Sequence, residues 1–290
     1  MKLATIYHED SEKAVLIKQE TAYLMNHVNK ATGKQWSEDL LLLLQKGEFH
    51  EVRDWYEKEG KNQLYPENGF SMNTVSFAPL FRHPEKVFGV GMNYLEKALE
   101  LSGKPPEEEP VIFMKPNSSI IGTGETIQIP SQSPNVAGEA ELAIIIGKTC
   151  ENVKESDFWD VIAGFTTSLD MTARDIQNLN PRFLQRAKSF NTFCSFGPCL
   201  ITADELPELS SLKIETILNG SVCHENVIAN MMYQPAFIVS FFSQIMTLQP
   251  GDVILTGTPG SVLIQEGDVL ECRITGFPSL TNPVKSHVHK

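Results

Sequence analysis

Glu139-Ala-Glu141-Leu-Ala-Ile-Ile-Ile-Gly147 combines six apolar residues with two carboxylates at its head. The apolar run predicts a core β-strand, in which residues i and i+2 point to the same face. Glu139 and Glu141 therefore stand side by side. Two like charges at that spacing repel unless a cation lies between them. About thirty residues on, the run Ile162-Ala-Gly-Phe-Thr-Thr-Ser-Leu-Asp170 ends in a third carboxylate. Three carboxylates at strand ends suit a hard divalent cation such as Mg²⁺ or Mn²⁺. The alternative is a solvated strand face that alternates with Ala140 and Leu142 inside, and spacing alone leaves both open.

With 290 residues the chain can bury a large core in one or two domains. Its 41% hydrophobic and 21% charged residues place it among ordinary globular proteins. The net charge of −12 argues against nucleic acid or an anionic membrane as partner. No run reaches transmembrane length, and the N-terminal apolar stretch is too short for a signal peptide. Cys150, Cys194, Cys199, Cys223 and Cys272 are odd in number and form no CxxC pair. They read as reduced thiols of a cytoplasmic protein.

The chain reads as α+β and strand-rich. Residues 1–80 form a small α/β N-terminal domain with strands over 3–8 and 14–18. Two helices follow, one capped at Ser37 and one over 49–58. The polar stretch Gly60 to Gly69 reads as a linker or loop. Residues 81–290 carry strands over 87–90, 111–114, 126–129, 139–146, 162–169, 213–218, 252–256 and 268–274. Helices are expected over 93–102 and 235–248. Strands outnumber helices and rarely alternate with them, which argues against a doubly wound parallel sheet.

Several short motifs fail. Gly89-Val-Gly91 lacks the third glycine of a dinucleotide fingerprint, because Tyr94 stands there. Gly147-Lys-Thr149 resembles the end of a phosphate-binding loop, but Leu142 replaces its first glycine. Asn117-Ser-Ser119 is a sequon without meaning in a cytoplasmic protein. His287-Val-His289 reads as a frayed tail.

A longer series holds together. It comprises Gly91-Met-Asn-Tyr94, Phe113-Met-Lys115-Pro, Gly138-Glu-Ala-Glu-Leu and Ser168-Leu-Asp170-Met-Thr-Ala-Arg174-Asp-Ile-Gln177. Ala187-Lys188-Ser-Phe190, Phe196-Gly-Pro198, Leu218-Asn-Gly220, Leu248-Gln-Pro-Gly-Asp252 and Thr256-Gly-Thr-Pro-Gly260 complete it. In this order, over roughly residues 85–280, the series resembles the fumarylacetoacetate hydrolase family.

The resemblance implies a mixed β-roll core, a homodimer, and Mg²⁺ (or Mn²⁺) held by Glu139, Glu141 and Asp170. It implies small 2-oxo acid substrates of acylpyruvate type, held with the help of Lys188 and Thr258, with Lys115 and Gln177 lining the site. Where hydrolytic members carry His, this chain has Lys97, while the partner Glu100 is kept. An unperturbed lysine titrates about four units above histidine and is a poor base near neutrality. At helical spacing Lys97 and Glu100 share a face, so they read either as a surface ion pair or as a paired lid over the site. Asn191 and His224 are further departures, from Asp and Gln, and His224 is one conceivable substitute imidazole.

The expected function is hydrolysis of C–C bonds in 2-oxo acids. Loss of the histidine shifts weight toward a decarboxylase, isomerase or dehydratase, because those reactions need no activated water. A metabolite-binding regulator without turnover is the alternative of another class. Retention of Lys188 and Thr258, which metal binding alone does not require, weighs against it.

Overall fold

The computed structural model describes residues 1–96, 99 and 109–286. Before residue 80 lie β1 (Lys2–His8), β2 (Ser11–Lys18), β3 (Thr21–Leu24), β4 (Phe70–Ser71) and β5 (Ser76–Phe77). Next come β6 (Val87–Gly91), β7 (Val111–Met114), β8 (Ile120–Ile121) and β9 (Ile127–Ile129). The centre is built from β10 (Val136–Ile146), β11 (Ile162–Ala173) and β12 (Cys194–Ile201). The chain continues with β13 (Lys213–Leu218), β14 (Ser221–Val227), β15 (Val253–Leu255) and β16 (Ser261–Ile264). It closes with β17 (Val269–Ile274) and β18 (Leu280–Ser286).

Two mixed sheets result, with few helices, as the strand-rich reading requires. The larger runs β4-β3-β2-β1-β12-β11-β10-β15-β6-β7, and off this path β5 pairs with β1, β8 with β12 and β16 with β10. The smaller runs β14-β13-β17-β18-β9. Most pairs are antiparallel, but β15–β6, β12–β8 and β18–β9 are parallel.

Every residue of β10 and β11 is buried. A strand with both faces covered reads as a near-continuous apolar run; β10 does so over Leu142–Ile146, whereas β11 buries Thr166, Thr167, Ser168, Asp170 and Thr172 among its apolar residues. Period-two alternation splits β10 between two cores. Ala140, Leu142, Ile144 and Ile146 pack with Ile214, Leu270 and Cys272 of the smaller sheet. Ala143 and Ile145 pack with Leu3, Leu16 and Leu43 of the N-terminal segment. Glu139 and Glu141 share the parity of Ala143 and Ile145, so one face passes from charge to hydrocarbon within a few residues.

β1 pairs with β12 through Leu3↔Leu200 and its neighbours, so the N-terminal hairpins extend the main sheet. Arg82 clamps them to the core, since its Nε donates to Glu12 at 2.7 Å and its Nη2 to Glu125 at 2.9 Å. An unexpected helix covers Met25–Thr32; the first of the two expected helices covers Leu40–Gln45, capped by Asp39, whose carboxylate accepts from the Leu42 N–H at 2.8 Å, in place of Ser37. The second covers Glu48–Trp55 and widens into a π-helical turn over Tyr56–Gly60.

The Pro235–Ile245 helix packs Phe242 against Phe88, ring centroids 4.8 Å apart. Phe242→Ala should cost about 3–5 kcal/mol, as large-to-small changes at fully buried aromatics do. Thermal unfolding of the variant will check this, and an unchanged melting temperature would contradict the packing described.

The structure lengthens both central strands beyond their expected limits. β10 begins at Val136 and β11 ends at Ala173. The carboxylates therefore lie inside buried strands and not on a solvated strand face. The helix expected over 93–102 and the tail histidines fall largely or wholly outside the described residues.

Candidate active site

Strand register brings the three carboxylates together. Glu139 faces Asp170 directly across the β10–β11 ladder, and Glu141 faces Ser168. Directly opposed residues present their side chains on one face of a sheet, and Glu141 follows on the same face two residues along. One carboxylate oxygen from each residue lies within 4.8 Å of the others, and all three residues are buried.

Two lysines enter this cluster. Lys188, from the turn after a short helix at Leu184–Ala187, sets its Nζ against Asp170 and 3.0 Å from Glu139 Oε2. The same ammonium donates to Thr172 Oγ1 at 2.7 Å, and that hydroxyl donates to Glu139 at 3.2 Å. Lys115, fully buried, pairs with the other oxygen of Asp170. Its Nζ also donates to the carbonyls of Met171 at 3.0 Å, Lys188 at 2.8 Å and Phe193 at 2.7 Å. Lys115 thus sits beneath the cluster and ties three segments together.

Charges set the electrostatics. Burial, with Asp170 and Glu139 nearby, pushes the Glu141 carboxyl well above the usual range, although Lys188 and the Gly257 N–H oppose this. Burial drives Lys115 downward despite Asp170. For Lys188 burial also pulls down, but Asp170 and Glu139 outweigh it and raise the ammonium above its ordinary value. With all five groups ionised, three carboxylates confront two ammonium groups and leave one negative charge over, and burial of that excess is why Glu141 is pushed toward its neutral form. A divalent cation reverses that excess, and an anionic substrate then neutralises the site.

The Thr256–Gly260 loop closes one side. The Gly257 N–H donates to Glu141 Oε2 at 2.6 Å. Gly257 has φ +93°, and a Cβ there would stand 2.7 Å from Asn93 Cβ, so glycine is required. Buried Asn93 fixes this approach, because its Nδ2 donates to Thr256 O at 2.7 Å and to Tyr233 O at 2.9 Å. Thr258 Oγ1 donates to Gly260 O at 2.8 Å.

A cavity of about 390 Å³ opens above the cluster. Glu139, Glu141, Lys188, Thr258 and Gln177 line it, with Met92, Val111, Phe113 and Leu184 as apolar walls. Gln177 Oε1 is buried and has no hydrogen-bond donor among the described residues. The Lys188 ammonium lies 4.4 Å from the Phe113 ring centroid. Lys115 does not line this cavity. Lys97 and Glu100 lie outside the described residues. His224 Nε2 is 3.1 Å from Ser261 O, and its ring packs against Gly260, so it stands behind the loop.

Sequence reasoning missed Thr172 and the Gly257 N–H. Thr172 was within reach, since it follows Asp170 by two residues on one strand face. The Gly257 amide was not, because a backbone donor leaves no mark in residue types.

The family model for the fumarylacetoacetate (FAA) hydrolase C-terminal region matches residues 86–285. The chain belongs to the fumarylacetoacetate hydrolase family. A mitochondrial oxaloacetate tautomerase of Xenopus laevis is 37% identical over 223 residues, 74% of this chain and 70% of the relative. A solved 5-carboxymethyl-2-hydroxymuconate delta-isomerase of Mycobacterium smegmatis matches with TM-score 0.78 and 30% identity, over all of both chains. A maleylpyruvate hydrolase of Sphingobium sp. SYK-6, solved with manganese(II) and pyruvate, matches with TM-score 0.81 and 25% identity. That match covers 99% of this chain and 100% of the other. Other family members thus include hydrolases, isomerases and tautomerases. No described helix is long and apolar enough to cross a membrane.

Proposed function

We propose that the chain is a divalent-metal-dependent enzyme acting on small 2-oxo acids, with hydrolysis of acylpyruvate C–C bonds as the leading reaction. The observation that carries this is the buried triad Glu139, Glu141 and Asp170 beneath a cavity that also presents Lys188. The residues fit Mg²⁺ or Mn²⁺: all three donors are carboxylate oxygens, as hard cations prefer. Bound there, such an ion would stabilise negative charge that develops on the substrate's carbonyl oxygen.

The chain's own groups divide the remaining work. Lys188 is held protonated by Asp170 and Glu139, so it serves as a fixed positive charge for the substrate anion and not as a general base. The free acceptor of Gln177 can take a hydrogen bond from a substrate hydroxyl or a positioned water. Thr258 helps to shape the substrate-facing loop. Met92, Val111 and Phe113 exclude water from one side of the cavity. Its volume limits the substrate to a small molecule.

A second reading, rearrangement or decarboxylation of an oxaloacetate-type acid without hydrolysis, is favoured by Lys97 where hydrolytic members carry histidine. The Xenopus laevis relative, named an oxaloacetate tautomerase, supports it. Consumption of acylpyruvates and oxaloacetate with Mg²⁺, followed for acid products, keto–enol exchange and CO₂, separates the two. Lys97→His should raise the ratio of hydrolysis to decarboxylation, because imidazole titrates near neutrality. A ratio that stays constant, with fast hydrolysis in the native protein, would show that water is activated elsewhere.

Assembly belongs to the same proposal. Tyr233, Phe237 and Phe241 stack along the outer face of the Pro235–Ile245 helix, and Ile245 is exposed. We assign this stripe to a homodimer contact. Phe241→Glu should shift light scattering from a dimer mass to that of one chain, and a native protein already monomeric at micromolar concentration would reject the assignment. The five unpaired thiols support a reducing compartment such as the cytoplasm. Residues 1–80 read as a docked N-terminal unit, with the chemistry carried by 81–290.

A further inference from the structure

A second cleft, of about 760 Å³, lies between the N-terminal helices and the far end of β10. It is separate from the carboxylate cavity and shares no lining residue with it. Lys46 and Arg53 reach it from the two N-terminal helices. Lys148 reaches it from the Gly147-Lys-Thr149 turn that follows β10. Trp159 stands on the wall and is 51% exposed.

The charge here runs against the rest of the molecule. The chain carries 36 acidic and 24 basic residues, and lysines such as Lys13, Lys61 and Lys213 pair with acids. None of Lys46, Arg53 and Lys148 forms an ion pair with a described residue. Asp160 is the one carboxylate among the described lining residues. Of the acids of the second helix, Glu48 accepts from the Ser37 N–H at 2.6 Å and Glu51 from Trp36 Nε1 at 3.1 Å, and Asp54 is exposed; none of the three lines the cleft. Three cations against one lining carboxylate leave the concavity net positive on a negatively charged protein.

The aromatic group is equally exposed by design of the packing. Trp159 is anchored by Phe158 and Phe165, with ring centroids 4.8 and 6.1 Å away, yet half its surface stays open. His50, whose Nε2 is 3.2 Å from Gly147 O, holds the helix to the turn and keeps the cleft's two sides in place. A ring platform beside clustered cations is the combination that binds a base and its phosphates.

We propose that this cleft binds a phosphorylated small molecule carrying a flat ring, of the nucleotide type. The test is calorimetric titration of the full chain with ATP, inorganic tripolyphosphate and adenosine. ATP should bind saturably, and tighter than either fragment. Lys148→Glu should weaken ATP and tripolyphosphate about tenfold or more, as loss of a charge-assisted contact does. Trp159→Ala should weaken ATP about tenfold while sparing tripolyphosphate, because only the stacked ring is lost. Thermal melts confirm that each variant is folded, and Lys148→Glu changes an exposed side chain. The proposal is overturned if ATP shows no saturable binding. It is equally overturned if Lys148→Glu leaves ATP binding unchanged, or if tripolyphosphate binds as tightly as ATP.

Discussion

Glu141→Gln is expected to weaken Mg²⁺ or Mn²⁺ binding by at least about a hundredfold, since changes merely behind a metal ligand already cost about 10–100-fold. The fold should survive. Glutamine keeps an oxygen for the Gly257 N–H, which donates to Glu141 at 2.6 Å. It also removes a carboxyl that burial and its two neighbours already disfavour as an anion. The metal-free variant should therefore melt no lower than the metal-free native protein. Added cation should raise the native melting temperature and leave the variant's unchanged, because a ligand that binds only the folded state stabilises it by mass action. Calorimetry that finds unchanged cation affinity in the variant would remove Glu141 from the ligand set.

Lys188→Met should separate catalysis from metal binding. Its ammonium contacts Asp170, Glu139 and Thr172 and also faces the cavity. Removing a preorganised charge from beside the reacting groups should lower kcat/KM about a thousandfold. Cation affinity should hold or improve, because a competing positive charge has left the carboxylates. Without metal, the variant should lose about 3–5 kcal/mol of stability, the typical cost of stripping a partner from buried charges. Mg²⁺ should restore most of it. A variant that loses cation binding along with activity would mean that Lys188 organises the triad and has no separate role toward substrate.

The sequence carried the site's parity but not its depth. Glu139 and Glu141 share a face by alternation alone, and Asp170 closes a second apolar run. Nothing in either run says that Glu139 pairs with Asp170, because cross-strand register is a long-range property. Lys115 illustrates the same gap. The Phe-Met-Lys-Pro motif marks it, but only the fold shows its ammonium turned inward to three carbonyls and Asp170.

Elements with a strong period or cap were legible, including β10, β11 and the Pro235–Ile245 helix. β12 was not, because Gly197-Pro198 punctuates Cys194–Ile201 and reads as a break. β14 was missed for the opposite reason. Its Ser-Val-Cys-His-Glu-Asn-Val run is mostly exposed or half-buried and shows little apolar alternation. The short strands β4, β5 and β8, two residues each, exist only as partners of longer neighbours.

Crystals grown with Mn²⁺ and pyruvate offer the most direct test of the central claim. Anomalous diffraction at the manganese edge should give one strong peak per chain, bounded by carboxylate oxygens of Glu139, Glu141 and Asp170, with pyruvate beside it on the side of Lys188 and Thr258. A peak elsewhere, or none while the carboxylates stay paired with Lys115 and Lys188, would contradict it.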